Sequence, residues 1–122
     1  MELYIGGYAQ NKLEYVKSLY SDAIQFKKID IIDNLHLVIK EKLAAGMDSE
    51  QIFDEIRARM VQTEERGVKL IVICDEIGNG IVPVDAFERE WREETGRILC
   101  KLAEKAERVV RIVMGLPQVI KG

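Results

Sequence analysis

The chain has 122 residues, 48% of them hydrophobic and 32% charged, with a formal net charge of -3 and a pI near 5.3; this suits one globular domain, residues 1–122, and is too short for two ordinary ones. Acids and bases are interspersed, so no basic stripe exists to neutralise a nucleic-acid backbone. No apolar run approaches the roughly 20 residues of a bilayer span, and the opening MELYIGG lacks the regions of a signal peptide, so a soluble, cytosolic protein without nucleic-acid or membrane partners is expected.

Taken in chain order, Met1 to Ile5 is a short apolar strand ending in Gly6-Gly7. Leu13, Val16, Tyr20, Ala23 and Ile24 then follow at the spacing of one helix. Ile29 to Asp33 is a second strand ending in an acid, and Leu35, Val38, Ile39 and Leu43 mark a helix up to Gly46. Asp48 and Gln51 form a capping-box signature before a helix carrying Ile52, Phe53, Ile56 and Met60, which should stop near Gly67. Val68 to Cys74 is almost wholly apolar, as a strand covered on both faces would be, and predicts a parallel sheet at its centre. Asp85 and Glu88 suggest a second capping box, before a long helix with Phe87, Trp91, Ile98, Leu102 and Ala106. A strand from Val109 to Met114, a Gly115-Leu116-Pro117 turn and a short edge strand from Gln118 to Lys121 close the chain. Strands alternating with helices in this way predict an open three-layer α/β domain with a mostly parallel sheet and right-handed crossovers.

Ligands of such sheets bind beyond the carboxyl ends of the strands, which draws attention to four segments. Gly6, Gly7, Tyr8, Ala9, Gln10, Asn11, Lys12 and Leu13 have the length of the phosphate-binding pattern GxxxxGK[ST] between a strand and a helix. In that pattern backbone N–H groups cradle phosphates, the lysine neutralises them and the hydroxyl residue holds Mg²⁺. Here Asn11 replaces the second glycine and Leu13 the hydroxyl. Asparagine tolerates the left-handed conformation, whereas leucine binds no metal. An ordinary strand-helix turn with a surface lysine is the competing reading of this loop.

Asp33 stands where a Walker-B-type acid orients water or metal, and the competing reading is a helix N-cap. His36, the only histidine, follows in the first helical turn as a candidate proton carrier. Asp75-Glu76-Ile77-Gly78-Asn79-Gly80-Ile81-Val82-Pro83 puts two glycines, two acids and a proline into one loop after the central strand, a composition suited to close approach of backbone to a ligand. Gly96 interrupts a strong helix at a cost of about 1 kcal/mol relative to alanine, which predicts close packing of another element against it. Cys74 and Cys100 lie far apart with no metal-spaced partners, so both read as buried small apolar side chains.

The loop CDEIGNGIVP, the helix after it and the ending VVRIVMGLPQVIKG together resemble the adenosylcobinamide kinase / adenosylcobinamide-phosphate guanylyltransferase family of cobalamin biosynthesis, in register from Val68 to Lys121. Glu76, Gly78, Gly80, Ile81, Val82 and Pro83 match that family's loop, and Asp75 replaces its asparagine. Gly6, Gly7 and Lys12 match its phosphate loop more thinly, and Ile31-Ile32-Asp33 resembles the strand bearing its Walker-B-like acid.

The resemblance implies a truncated P-loop NTPase-like (RecA-like) fold, GTP or ATP as nucleotide, a corrinoid (cobinamide) as second ligand and a homo-oligomer. It implies a kinase that phosphorylates the aminopropanol arm of adenosylcobinamide, and a guanylyltransferase that passes GMP through a histidine. The carried-over site is Lys12, Asp33 and Glu76 as catalytic residues, with Gly6 to Lys12, Gly78, Gly80 and Pro83 around the nucleotide. Two departures stand beside it. Leu13 puts Mg²⁺ placement in doubt, and the strand and helix that bear the family's guanylylated histidine have no counterpart before Asp33, so that His36 does not fall at its position. Two classes therefore remain open: a reduced enzyme that keeps the kinase-type activity, or a non-catalytic nucleotide- or corrinoid-binding homologue that assembles with itself or with a full-length enzyme.

Overall fold

A computed structural model describes residues 1–78 and 84–122. Its elements are β1 (Glu2–Gly6), α1 (Lys12–Leu19), α2 (Ser21–Gln25), β2 (Ile29–Ile32), α3 (Leu35–Ala44), α4 (Ser49–Glu65), β3 (Lys69–Asp75), α5 (Ala86–Lys105), β4 (Arg108–Val113) and β5 (Leu116–Lys121). The strands form one sheet in the order β2-β3-β1-β4-β5. All neighbours are parallel except β4 and β5, so the expected mostly parallel α/β sheet is what forms.

Side chains of alternate strand residues point to opposite faces, and two cores result. Leu3, Leu70, Val72, Cys74 and Val109 pack against Leu35, Ile39, Ile52, Phe53, Ile98 and Leu102 of α3, α4 and α5. On the other face Tyr4, Ile71, Ile73, Val110 and Ile112 pack against Val16, Leu13, Tyr15 and Tyr20 of the α1–α2 segment. Burial on both faces explains the continuous apolar run of β3.

Local chemistry sets the helix limits. The Asp48 carboxylate accepts the Gln51 N–H at 2.8 Å while the Gln51 amide oxygen accepts the Asp48 N–H at 3.0 Å, so α4 begins with the full capping box. It ends at Gly67, where φ is 69° and the Val68 N–H donates back to the Thr63 carbonyl at 2.9 Å, a closure that suits glycine. At α5 half of the expected box forms. Asp85 accepts the Glu88 N–H at 3.0 Å, while the Glu88 carboxylate lies 3.0 Å from Lys40 of α3.

Four local expectations change. The single helix predicted from Leu13 to Ile24 breaks at Tyr20, whose hydroxyl donates to Glu2 of β1 at 2.5 Å. The closing hairpin turns at Met114 and Gly115, both at positive φ, so β5 already begins at Leu116; two residues of this conformation match the strand twist. Cys74 is buried as expected, but Cys100 is exposed. Among the described residues a Cβ built on Gly96 meets nothing within 4 Å, so the expected close packing on this glycine is not made by any described element of this chain.

Candidate functional site

The carboxyl ends of β1 and β3 are neighbours, with Gly6 paired to Asp75, and the site is built on that pairing. A Cβ on Gly6 would stand 2.5 Å from the Ile112 carbonyl oxygen of β4, so only glycine lets the chain leave the sheet here. The loop that follows holds two non-glycine residues in the left-handed region, Ala9 at φ 57° and Asn11 at φ 62°. Asn11 adopts the conformation for which asparagine suits this position. Gln10 fastens the loop to the hairpin: its amide oxygen accepts the Met114 N–H at 2.6 Å and its carbonyl accepts the Gly115 N–H at 3.1 Å.

Lys12 opens α1 and is not a surface lysine; it is 7% exposed. Its ammonium donates to the Gly7 carbonyl at 2.7 Å and lies 2.7 Å from Asp75 Oδ1. Asp75 Oδ2 in turn lies 3.4 Å from His36 Nε2, and the Asp75 N–H donates to His36 Nδ1 at 3.1 Å. An accepting Nδ1 places the proton of the neutral ring on Nε2, facing the carboxylate. Burial, aided by the Lys12 charge, holds the His36 pKa below the ordinary 6.5, although Asp75 and Asp33 pull it up. The His36 carbonyl accepts the Trp91 indole N–H of α5 at 2.7 Å, and Lys40 sits 4.5 Å from the centre of the Trp91 ring.

These groups line a cleft of about 570 Å³ that also includes Tyr8, Gln10, Asn11, Glu14, Asp33 and Leu37. Lys12 and Asp33 thus share one cavity. Asp33 is not the helix cap: that position is Asn34, at φ 52°, and the Asp33 carboxylate accepts the Asn34 N–H at 2.9 Å. Glu76 points elsewhere. It pairs with Arg111 of β4 at 3.1 Å and lines, with Gly78, Ile5 and Thr95, a neighbouring cavity of about 280 Å³ that meets the first at Ile77. The Gly78 carbonyl accepts from Arg92 at 2.6 Å. Gly80 and Pro83 lie outside the described residues.

Sequence reasoning missed Asp75 as the acid facing Lys12. Side chains alternate along a strand, so Asp75 and Glu76 must face opposite sides of the sheet; that much was readable, but the side holding Lys12 was not. Two positions that could face a divalent cation supply no free oxygen to it as arranged. Leu13 brings no oxygen to the loop, both Asp75 oxygens face Lys12 and His36, and no three His, Cys, Asp or Glu side chains among the described residues are grouped to hold a metal ion. Nor is any helix among them long and apolar enough to cross a membrane.

The model of the cobinamide kinase / cobinamide phosphate guanyltransferase family matches residues 9–120. The chain belongs to this family. Among curated relatives, the bifunctional adenosylcobalamin biosynthesis protein CobP of Pseudomonas aeruginosa is 32% identical over 92 residues, covering 75% of this chain and 53% of the relative. The corresponding CobU protein of Salmonella typhimurium is 33% identical over 70 residues, covering 57% of this chain and 39% of that protein. The chain therefore spans about half, or less, of the length of the CobP and CobU proteins it matches. The match to the cobinamide kinase / guanyltransferase family reaches from inside the β1–α1 loop into β5, and so takes in Lys12, His36, Asp75 and Trp91.

Proposed function

We propose that this chain serves cobalamin biosynthesis as a nucleotide-binding member of its family, with a cleft suited to holding GTP or ATP phosphates and not to transferring them. The observation that carries the reading is the placement of Lys12, buried at the start of α1 in a loop of P-loop length, with its ammonium 2.7 Å from Asp75 in the cleft. A lysine at the start of α1, after a loop that leaves the carboxyl end of β1, is the arrangement with which a P-loop meets phosphates, and this supports the reading. Catalysis of phosphoryl transfer needs more, because positioning and charge stabilisation supply nearly all of it. Leu13 is apolar where the pattern carries a metal-holding hydroxyl. A corrinoid ligand and assembly into a homo-oligomer, or with a full-length relative, belong to the same proposal and rest on the family alone.

One observation favours the alternative, a reduced kinase acting on a corrinoid side arm: Asp33 lines the same cleft as Lys12, where a carboxylate can orient an attacking hydroxyl. Calorimetry with GTP and ATP, with and without Mg²⁺, tests the binding, and radiolabel transfer to adenosylcobinamide tests the chemistry. The expected result is micromolar nucleotide binding, weakened at least about tenfold in Lys12→Ala, with no labelled corrinoid. Absence of binding refutes the nucleotide reading, and label on the corrinoid refutes the non-transferring one.

A further inference from the structure

Lys12, Asp75 and His36 form a chain of charge inside the cleft, and each link has a consequence for the next. Lys12 is 7% exposed and His36 6%, and the Asp75 side chain is 14% exposed, so water screens these groups weakly. In the free protein the Lys12 ammonium is the cation that balances Asp75, at 2.7 Å. His36 meets the second carboxylate oxygen at 3.4 Å through Nε2 and is neutral, with Nδ1 taken by the Asp75 N–H. A nucleotide adds negative charge at the loop and draws Lys12 toward its phosphates. Asp75 then loses its cation while the local field becomes more negative, and a buried carboxylate without a counter-charge is costly.

We propose that nucleotide binding at this cleft is coupled to uptake of a solvent proton by His36, which replaces Lys12 as the cation of Asp75; the inference rests on the nucleotide-binding reading. The added proton settles on Nδ1, which then ceases to accept the Asp75 N–H, so the ring turns as it charges while Nε2–H remains available to the carboxylate. The other charges around the ring favour the same direction: Asp33 acts on it directly, Glu14 lines the cleft from α1, and on the α5 side Lys40 is compensated by Glu88 at 3.0 Å. Lys12 is the cation that opposes the imidazolium in the free protein, and its turn toward phosphate weakens that opposition. His36 acts in this as a positioning residue for the Lys12–Asp75 pair.

The test is direct because His36 is the only histidine. Its ring Cε1–H resonance is titrated by NMR in the 122-residue chain, free and saturated with GTP in the presence of EDTA, while amide shifts in the Gly6 to Lys12 loop report binding independently. The expected result is a midpoint below the ordinary histidine value in the free protein that rises by about one unit or more with GTP. Binding should tighten as pH falls, beyond the titration of the nucleotide's own phosphate, and His36→Gln should leave only the nucleotide's own slope. Asp75→Asn should bind GTP roughly tenfold more tightly near neutral pH, because Lys12 no longer has to leave a buried carboxylate. Loop shifts that saturate with an unmoved His36 midpoint overturn the proton coupling and leave nucleotide binding standing. Absence of loop shifts overturns both.

Discussion

Replacing Glu2 by glutamine tests whether a charged network at the base of the sheet holds α1, α2 and β3 to β1. The Glu2 side chain is 5% exposed, and its oxygens accept from the Tyr4 hydroxyl at 2.7 Å, the Tyr20 hydroxyl at 2.5 Å and the Lys69 ammonium at 2.9 Å. Breaking a buried charge pair costs about 3–5 kcal/mol. Here the loss is smaller, because the glutamine oxygen still accepts from the tyrosines and Lys69, 37% exposed, keeps Glu107 at 3.0 Å. About 2 kcal/mol is expected, close to the value of one hydrogen bond to a charged group, read as a lower urea midpoint at neutral pH with an unchanged slope.

The pH dependence has a definite sign. Burial alone would raise the Glu2 pKa, but the hydrogen bonds from Tyr20, Tyr4 and Lys69 together hold it below the ordinary 4.5. The folded state thus binds this proton less readily than the unfolded chain, so the contribution is fully present above about pH 4.5 and is lost as pH falls through the folded value. Wild type and Glu2→Gln should therefore differ by a constant amount between about pH 5 and 8 and converge in acid. A loss under about 0.5 kcal/mol, the range of neutral surface substitutions, or a gap that widens on acidification, refutes this account.

Two glycines should respond in opposite ways. Gly6→Ala forces a Cβ to 2.5 Å from the Ile112 carbonyl, where backbone cannot yield cheaply; a loss of at least about 1–3 kcal/mol by urea unfolding is expected, with weaker GTP binding because the loop begins there, and an unchanged midpoint contradicts the geometry. Gly96→Ala, inside α5 with no described residue within 4 Å of its Cβ, should raise stability by up to about 1 kcal/mol, and a lower midpoint would show that this spot is needed without a side chain.

The local elements were legible because their causes are local. Asp48 and Gln51 start α4 by bonding each other's backbone, and Gly67 stops it. The apolar run of β3 announces a strand with helices on both faces, and the nine-residue loop after it, together with the Lys12 frame, pointed to the family that the chain indeed matches. What stayed hidden depends on strand order. The sequence ends two strands in acids, Asp33 and Asp75, without saying which strand lies beside the loop that carries Lys12. Because β3 is inserted between β1 and β2, Asp75 becomes the ion partner of Lys12, while the acid after β2 stands one strand further away. The break at Tyr20 has the same origin, since its partner Glu2 is 18 residues away in sequence. Sequence by itself thus determined most of the strands and helices and the length of the loop that carries Lys12, because capping, periodicity and turn chemistry act over a few residues. Only the tertiary structure decided which charges meet in the cleft, because pairing across a sheet joins residues that no local pattern connects.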